Sequence, residues 1–287
     1  MDKNRIKLLL CVAALLAVCL CGCGKNKVSG NNNYPANEIS EIKIDTDTWK
    51  LSILASSDEK VHISFDGSVS DKANQPTATL QDGFLLVAQK SSDEKLQSQI
   101  ALGKKGQITI YLPSSYDGSL EINNEMGDIE ADSISATDFQ LVNNAGYVTL
   151  SHLTADNLKV SSGSGDITVN DSNINNVAIV TSSGYVQLSN TTFNDTEVVT
   201  KSGEVNMAQI NIDTDISIQT GSGDINLKYQ ATPDNLDFSV TSGSKDITTR
   251  FNGATYNTET TSSRQGIIGE GQHKLQVNSD NGTVVIK

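Results

Sequence analysis

Cysteine is missing from most of this sequence. All four cysteines lie within the first 23 residues of a chain of 287. The remaining residues therefore offer no thiol for a disulfide, for a nucleophile or for a Cys-based metal site. Aromatic residues make up only 5% of the chain, which argues against a large enzyme core built on aromatic packing.

Basic residues are also scarce. The chain has 21 Lys and Arg residues against 34 Asp and Glu residues, a formal net charge of −13. Proteins that bind nucleic acid need basic patches to neutralise phosphates, so this balance argues against a nucleic-acid partner. The three histidines, His62, His152 and His273, lie far apart in the sequence. We therefore expect no metal site to be built from them.

The sequence contains no HExxH, CxxC, P-loop or GxSxG motif. Two GSGDI segments, at 163–167 and 221–225, lead into strand-like sequence, whereas a phosphate loop opens a helix. We interpret both as turns. Arg250 and Arg264 are the only arginines after Arg5, and lyase-type sites generally need cationic groups. We expect no catalytic residues and no cofactor, and a polysaccharide-acting enzyme is the least favoured interpretation.

The N-terminus carries the features of an export signal. Lys3, Arg5 and Lys7 precede an apolar run of about 13 residues, shorter than the ~20 residues of a transmembrane helix. The run ends in Leu-Cys-Gly-Cys, which resembles the lipobox of bacterial lipoproteins, and Cys23 is the only cysteine preceded by a small residue. We predict a signal peptide over 1–22 and lipidation of Cys23, which would hold the protein outside the cytoplasm on the bacterial cell membrane. A cleaved signal without lipid and an uncleaved anchor are the alternatives.

The segment that follows is polar and rich in Asn, and we predict that residues 23–39 form the lipidated cysteine and a flexible tether. Residues 40–105 have strand-like runs at irregular spacing, which predict an N-terminal cap and distorted coils. Within them, the run TATLQDGFLLVA predicts a hairpin that turns at Asp82 and Gly83.

A repeat dominates the rest of the chain. Glycine followed by a polar and then mostly a β-branched residue recurs at steps of 19, 19, 19, 19 and 20, at Gly127, Gly146, Gly165, Gly184, Gly203 and Gly223. With this glycine as position 1, apolar residues recur at positions 3, 5, 8, 10, 13 and 15. Over the first five repeats, with one residue inserted before Ile216 in the fifth, only Ser172, Thr191 and Thr196 break this rule, so we predict that all six positions point inward.

Pairs of apolar residues spaced by two are typical of strands. Three such pairs in each repeat predict three short strands and one coil of a parallel β-helix, stabilised by stacking on its neighbours. The predicted fold is therefore all-β, a single-stranded parallel β-helix (solenoid) of about 19-residue coils over 106–287. We expect 263–272 to be an extruded loop, and the strands at 275–277 and 284–286 to finish the stack.

The ITIYLP stretch (108–113), the SLEI strand (119–122) and the serial SGDI-type turns resemble a bacterial family of unknown function, described as putative adhesins with β-strand repeats. The resemblance covers roughly 40–287, and many members of that family are lipoproteins or membrane-tethered. It implies a surface adhesion or binding module. A cell-envelope scaffold or stress-response accessory protein is the alternative, and the implied partners are envelope polysaccharide or a membrane protein.

Position 2 of the repeat forms a predicted column in which the first four members alternate acid with aromatic: Asp128, Tyr147, Asp166, Tyr185, Glu204 and Asp224. In one interpretation the Tyr rings contact sugars while the acids bind hydroxyls or Ca²⁺. In the other, which we favour, the column is a solvent-exposed corner where Tyr separates like charges.

Overall fold

The described part of the chain is built almost wholly from strands. The computed structural model describes residues 26–69, 74–90, 106–249 and 251–287. Within these ranges there are 25 strands and one short 3-10 helix, Ala36–Glu38. The predicted signal peptide, Cys23 and Arg250 lie outside the described residues.

The strands form two long sheets. The first sheet has 12 strands, in the spatial order β1 (Asn26–Pro35), β4 (Lys60–Val69), β7 (Gly106–Leu112), β3 (Lys50–Ala55), β9 (Ile129–Asp132), β11 (Val148–Ser151), β13 (Ile167–Asn170), β15 (Val186–Ser189), β17 (Val205–Ile210), β19 (Ile225–Tyr229), β25 (Val284–Ile286) and β21 (Ile247–Thr249). The second has 13, in the order β22 (Thr255–Glu259), β23 (Ser263–Ile268), β20 (Leu236–Ser242), β24 (His273–Ser279), β18 (Asp215–Thr220), β16 (Asp195–Thr200), β14 (Asn173–Thr181), β12 (Thr154–Ser164), β10 (Ser135–Ala145), β8 (Ser119–Asn124), β2 (Glu41–Thr46), β6 (Phe84–Gln89) and β5 (Thr77–Gln81).

Neighbouring strands of the central region are parallel and pair residues 19 apart in the sequence. Val148 pairs with Ile129 on one side and with Ile167 on the other. The predicted inward register is confirmed, because Ile167 and Ile179 are fully buried whereas Thr168 and Ala178 are partly exposed. The three polar exceptions, Ser172, Thr191 and Thr196, are buried as well, so position in the repeat sets the direction of the side chain even where its chemistry does not favour burial.

Each central repeat contributes to two sheets, and the prediction of three separate strands was wrong. Positions 3 to 5 lie in the first sheet, whereas positions 10 to 15 of the first repeats lie in one long strand of the second sheet, such as β10. Ala136 and Phe139 both point inward although they are three positions apart in the sequence. Because alternation along a strand has period two, the strand must kink between them, and the pairing with β12 is interrupted at Thr137.

The C-terminal strands lie inside the stack, so the prediction that they finish it was also wrong. β24 pairs with β18 on one side and β20 on the other, and β25 lies between β19 and β21. β20 to β23 therefore come earlier in the sequence than β24 and β25, although β24 and β25 lie between them and the repeats. At the other end, β2 and β3 are inserted in the same way, between β6 and β8 and between β7 and β9.

The predicted loop over 263–272 begins as a strand. β23 pairs antiparallel with both β20 and β22. Its Gly266 and Ile268 are buried, and a Cβ at Gly266 would meet the ring of Phe238. Packing against this aromatic side chain therefore holds the segment on the end of the second sheet.

Most of the predicted flexible tether is also ordered. Residues 26–35 form β1, which pairs antiparallel with β4 along its whole length. Val28 is buried, and the hydroxyl of Tyr34 donates a hydrogen bond to the carbonyl of Ala78 at 2.9 Å. The predicted hairpin is confirmed: β5 and β6 pair antiparallel, and Asp82 and Gly83 between them have φ values of 52° and 82°.

Candidate binding face on the first sheet

The acids of the position-2 column hold neighbouring repeats together. The backbone N–H of Tyr147 donates to Oδ1 of Asp128 at 3.0 Å, and that of Tyr185 donates to Oδ1 of Asp166 at 2.9 Å. This pairing explains the Asp at alternate levels, since each Asp accepts the backbone N–H of the residue one repeat later, which any non-proline residue can donate. These two carboxylates are committed to the stack, which agrees with a corner role.

The same bond continues into the inserted C-terminal strands. Oδ1 of Asp224 accepts the backbone N–H of Thr283 at 2.7 Å, just before β25. In space, the residue that follows Asp224 in the column is therefore Thr283. Asp246 comes after Thr283, and its backbone carbonyl accepts the N–H of Val284.

Glycine at position 1 is required by close approach between repeats. A Cβ at Gly165 or Gly184 would lie within 3.0 Å of the carbonyl oxygen of the glycine one repeat before, a separation that real Cβ atoms essentially never show. Both residues also have positive φ, 110° and 109°, a region that side-chain-bearing residues disfavour. These glycines bring the corner of each repeat onto the next.

A buried polar column supports this corner, and sequence reasoning missed it. It occupies position 17 and continues into the inserted and terminal strands, comprising Gln89, Thr46, Asn124, Asn143, Ser162, Thr181, Thr200, Thr220, Ser279 and Ser242 in spatial order. Nδ2 of Asn143 donates to the carbonyl of Gly146 at 2.9 Å, and Oγ of Ser242 donates to that of Gly282 at 2.6 Å. The available signal was an Asn, Ser or Thr three residues before each repeat glycine.

The outward side of the first sheet carries a row of side chains that the fold does not use. Position 4 points outward in five successive strands, β11, β13, β15, β17 and β19, with Thr149, Thr168, Gln187, Asn206 and Asn226. Their side chains make no hydrogen bond or ion pair with any described residue. Together with position 6 of the first four of these strands (Ser151, Asn170, Ser189 and Ala208), they form what we call the open polar face. Position 6 of the fifth strand is the exposed Lys228, which lies at the edge of this face.

The open polar face is uncharged in a strongly acidic chain. The acids of this region lie at its corners, where Asp128 and Asp166 accept backbone N–H groups and Asp171 accepts the side-chain amide of Asn190 at 2.7 Å. The face is therefore flanked by carboxylates and contains none.

Two aromatic rings border this face. Position 2 precedes position 4 by two residues and so lies on the same outward side. Tyr147 is 60% exposed, and Tyr185 is partly exposed. Their backbones are fixed by Asp128 and Asp166 as described above, whereas their hydroxyls make no hydrogen bond with any described residue. Of the predicted ligand column, the two Tyr rings and the exposed carboxylate of Glu204 are thus the members left available.

The histidines are not brought together. Nδ1 of His152 lies 2.8 Å from Oδ1 of Asp132, and this hydrogen bond raises the pKa of the exposed His152 ring. His62 pairs with Asp58, while His273 lies 3.5 Å from Asp215. Across the described ranges, no group of three or more His, Cys, Asp and Glu side chains is placed to hold a metal ion.

A cleft of 890 Å³ lies at the N-terminal end of the stack. The helix Ala36–Glu38, the turn before β4 and the loop after β7 form its walls. Its lining includes the carboxylates of Glu38, Asp58, Glu59 and Asp117. This cleft is acidic, unlike the open polar face.

The two parallel sheets with short turns between stacked repeats define an all-β solenoid. A family model described as Toastrack DUF4097 matches residues 39–287, and the chain therefore belongs to the Toastrack DUF4097 family. No curated protein matches it. No helix within the described ranges is long and apolar enough to cross a membrane.

Comparison with solved structures finds similar chains at low sequence identity. A putative adhesin from Bacteroides fragilis is 17% identical, with a TM-score of 0.53 over 92% of this chain and 98% of that one. A putative adhesin from Parabacteroides distasonis is 13% identical, with a TM-score of 0.47 over 91% and 97% of the two chains. A putative lipid binding protein from the same organism is 13% identical, with a TM-score of 0.47 over 92% and 98%.

Proposed function

We propose that this protein is an extracytoplasmic binding module, held on the bacterial membrane by a lipid on Cys23, and that it has no catalytic activity. The lipobox-like sequence supports the anchor. Family membership and the name of the Bacteroides fragilis neighbour, a putative adhesin, support a role in surface binding. In this proposal each 19-residue repeat is one coil of the solenoid, and residues 40–105 cap its N-terminal end.

The position of β1 favours an orientation for such a module. β1 begins at Asn26 and is the end strand of the first sheet. Only two residues separate Cys23 from it, so a lipid on Cys23 would keep this end close to the membrane. The first sheet has 12 strands, and at ~4.8 Å per strand the stack would project ~53 Å outward.

The open polar face is the observation that carries the proposal. The five side chains of its position-4 row are at least partly exposed and bond no described residue, so they are free to bond a partner without breaking internal bonds. The strands beneath them already have fixed positions, so little ordering entropy opposes binding.

Binding to isolated cell envelopes tests the proposal. The probe is the mature chain with Cys23→Ser, which removes the lipid so that retention depends on the folded part. We expect Gln187→Lys, in the middle of the open polar face, to reduce retention. Gln219→Lys, the same change on an exposed outward residue of the second sheet, is the matched control. Equal retention of the two variants would refute a binding role for this face.

An envelope scaffold that contacts a membrane protein is the second candidate. The acidic cleft favours it, because the proposed anchor would set that end of the stack beside the membrane. Crosslinking in intact cells separates the two candidates. Capture of one membrane protein through Glu38 or Asp117 positions would favour the scaffold, whereas capture through the open polar face would favour the binding module.

A further inference from the structure

We propose that the open polar face binds an extended, uncharged polysaccharide whose chain runs along the axis of the stack. This inference rests on the proposed function and names the ligand class of the same face. It follows from three properties of the face: its charge, its hydrogen-bonding groups and its spacing.

Charge selects against other polymers. The chain has a net charge of −13, and Asp166, Glu204 and Asp224 border the face directly. Charges within about 10 Å of one another still interact at ~0.1 M salt. Because these acids outnumber Lys228, the exposed cation on the outward side of β19, an anionic polymer that covers the whole face would be repelled. A cationic polymer would be drawn to the acidic corners and to the cleft rather than to a surface with no carboxylate. An uncharged ligand is the class that the face itself favours.

The available groups match a ligand rich in hydroxyls. Each of the five side chains of position 4 carries both a donor and an acceptor, as Thr hydroxyls and Asn and Gln amides do. A sugar hydroxyl also donates and accepts. Since these side chains have no partner among the described residues, a bound hydroxyl would replace only water and leave no internal group unpaired.

The spacing favours an extended chain along the stack. Successive members of the row lie on neighbouring strands, ~4.8 Å apart, so the five of them span ~19 Å. Tyr147 and Tyr185 stand two strands apart beside the same row. Aromatic rings present a large apolar surface with one polar end, which suits the mixed apolar and hydroxyl surface of a sugar ring. A ligand that crosses the strands at right angles can contact the position-4 side chain of all five strands.

The test uses neutral linear glucan and mannan oligosaccharides of graded length, with oligogalacturonates as anionic counterparts, against the mature chain with Cys23→Ser. Isothermal titration calorimetry should show affinity that rises with the length of the neutral ligands up to ~19 Å and then levels off. The oligogalacturonates should show no binding at low salt. Gln187→Lys should weaken binding by about tenfold, and Tyr147→Ala should weaken it as well. Gln219→Lys should bind as the wild type does.

Several results would overturn the proposal. Neutral oligosaccharides that do not bind, or that bind Gln187→Lys and Gln219→Lys equally, would refute it. Dimerisation in analytical ultracentrifugation that Gln187→Lys abolishes would assign the face to a second copy of the chain. Envelope retention that depends on Gln187 without any binding of neutral oligosaccharides would keep the proposed function and reject the ligand class. If neither envelope retention nor oligosaccharide binding depends on Gln187, the proposed function of this face and the ligand class are both rejected. Circular dichroism and the melting temperature confirm that each variant is folded.

Discussion

Alanine substitutions at three glycines separate the two reasons why the repeat needs glycine. At Gly253 φ is 80° but nothing lies within 4 Å of an added Cβ. At Gly203 φ is not in the left-handed region, yet a Cβ would overlap the carbonyl oxygen of Gly184. At Gly184 both apply. Gly253→Ala therefore reports backbone strain alone, Gly203→Ala reports the close approach of neighbouring repeats alone, and Gly184→Ala reports both.

The expected losses of unfolding free energy follow from these contacts. Gly253→Ala should cost about 1 kcal/mol, since the left-handed region disfavours alanine by 1–2 kcal/mol while alanine lowers the entropy of the unfolded chain. Gly203→Ala should cost about 1–3 kcal/mol, the range for overpacking. Gly184→Ala combines a backbone contact with strain, and we expect about 2–4 kcal/mol.

Urea unfolding followed by circular dichroism measures these losses. A lower midpoint with an unchanged slope against denaturant would show that stability has changed and that the surface exposed on unfolding has not. The argument for stacking through the glycine corner fails if Gly184→Ala costs no more than Gly253→Ala. A Gly203→Ala variant as stable as the wild type would show that neighbouring repeats have room to separate.

Three further predictions concern the anchor, the register and the inserted strands. Cys23→Ser should move the protein from the membrane fraction to the soluble fraction; if it stays in the membrane, the apolar segment itself is the anchor. Ile167→Asp should destabilise by several kcal/mol because it buries an unpaired charge, whereas Thr168→Asp should change unfolding free energy by less than ~0.5 kcal/mol; urea titration that gives equal losses would reject the register. Ending the chain after Gln272 removes β24 and β25, so limited proteolysis should then cleave β20 to β23 rapidly, and protection equal to that of the full chain would contradict the inserted topology.

The sequence predicted the features that depend on the repeat and on local composition. Alternation fixes the face of each residue, so the inward positions could be assigned even for Thr191 and Thr196, which are polar and buried. It also predicted the hairpin at Asp82 and Gly83, because a two-residue turn has a recognisable composition. These features depend on residues that are near one another in the sequence.

Features that depend on distant partners were not predictable in the same way. β1 is rich in Asn and becomes a strand because β4 offers it an edge along its whole length. β24 and β25 have ordinary strand sequences, and nothing in them tells whether they end the stack or enter it. The polar column that includes Asn143 and Thr181 looked like turn composition, because Asn, Ser and Thr favour turns, although both side chains continue the inward alternation of their strands.

The distribution of acids connects the fold to the proposed binding face. In a stack of repeats, each position of the repeat recurs every ~4.8 Å. Two like charges at that distance repel by about 0.9 kcal/mol even in water. A column of carboxylates is therefore costly unless other residues interrupt it or donate hydrogen bonds to it. The corners use both remedies: Tyr185 separates Asp166 from Glu204, and Asn157 donates to Asp138.

The open polar face has no column of carboxylates that must be interrupted or hydrogen-bonded. The side chains of Thr168, Gln187 and Asn206 bond nothing within the described chain, and Lys and Glu could alternate there as favourable cross-strand pairs. Lys50 and Glu130 form such a pair on the outward side of the neighbouring strands β3 and β9, 2.7 Å apart. Charged pairs are thus compatible with this sheet, yet the five strands from β11 to β19 carry uncharged donors and acceptors in the row at position 4. Neither stacking nor burial demands that choice, and the proposed binding of a neutral ligand accounts for it.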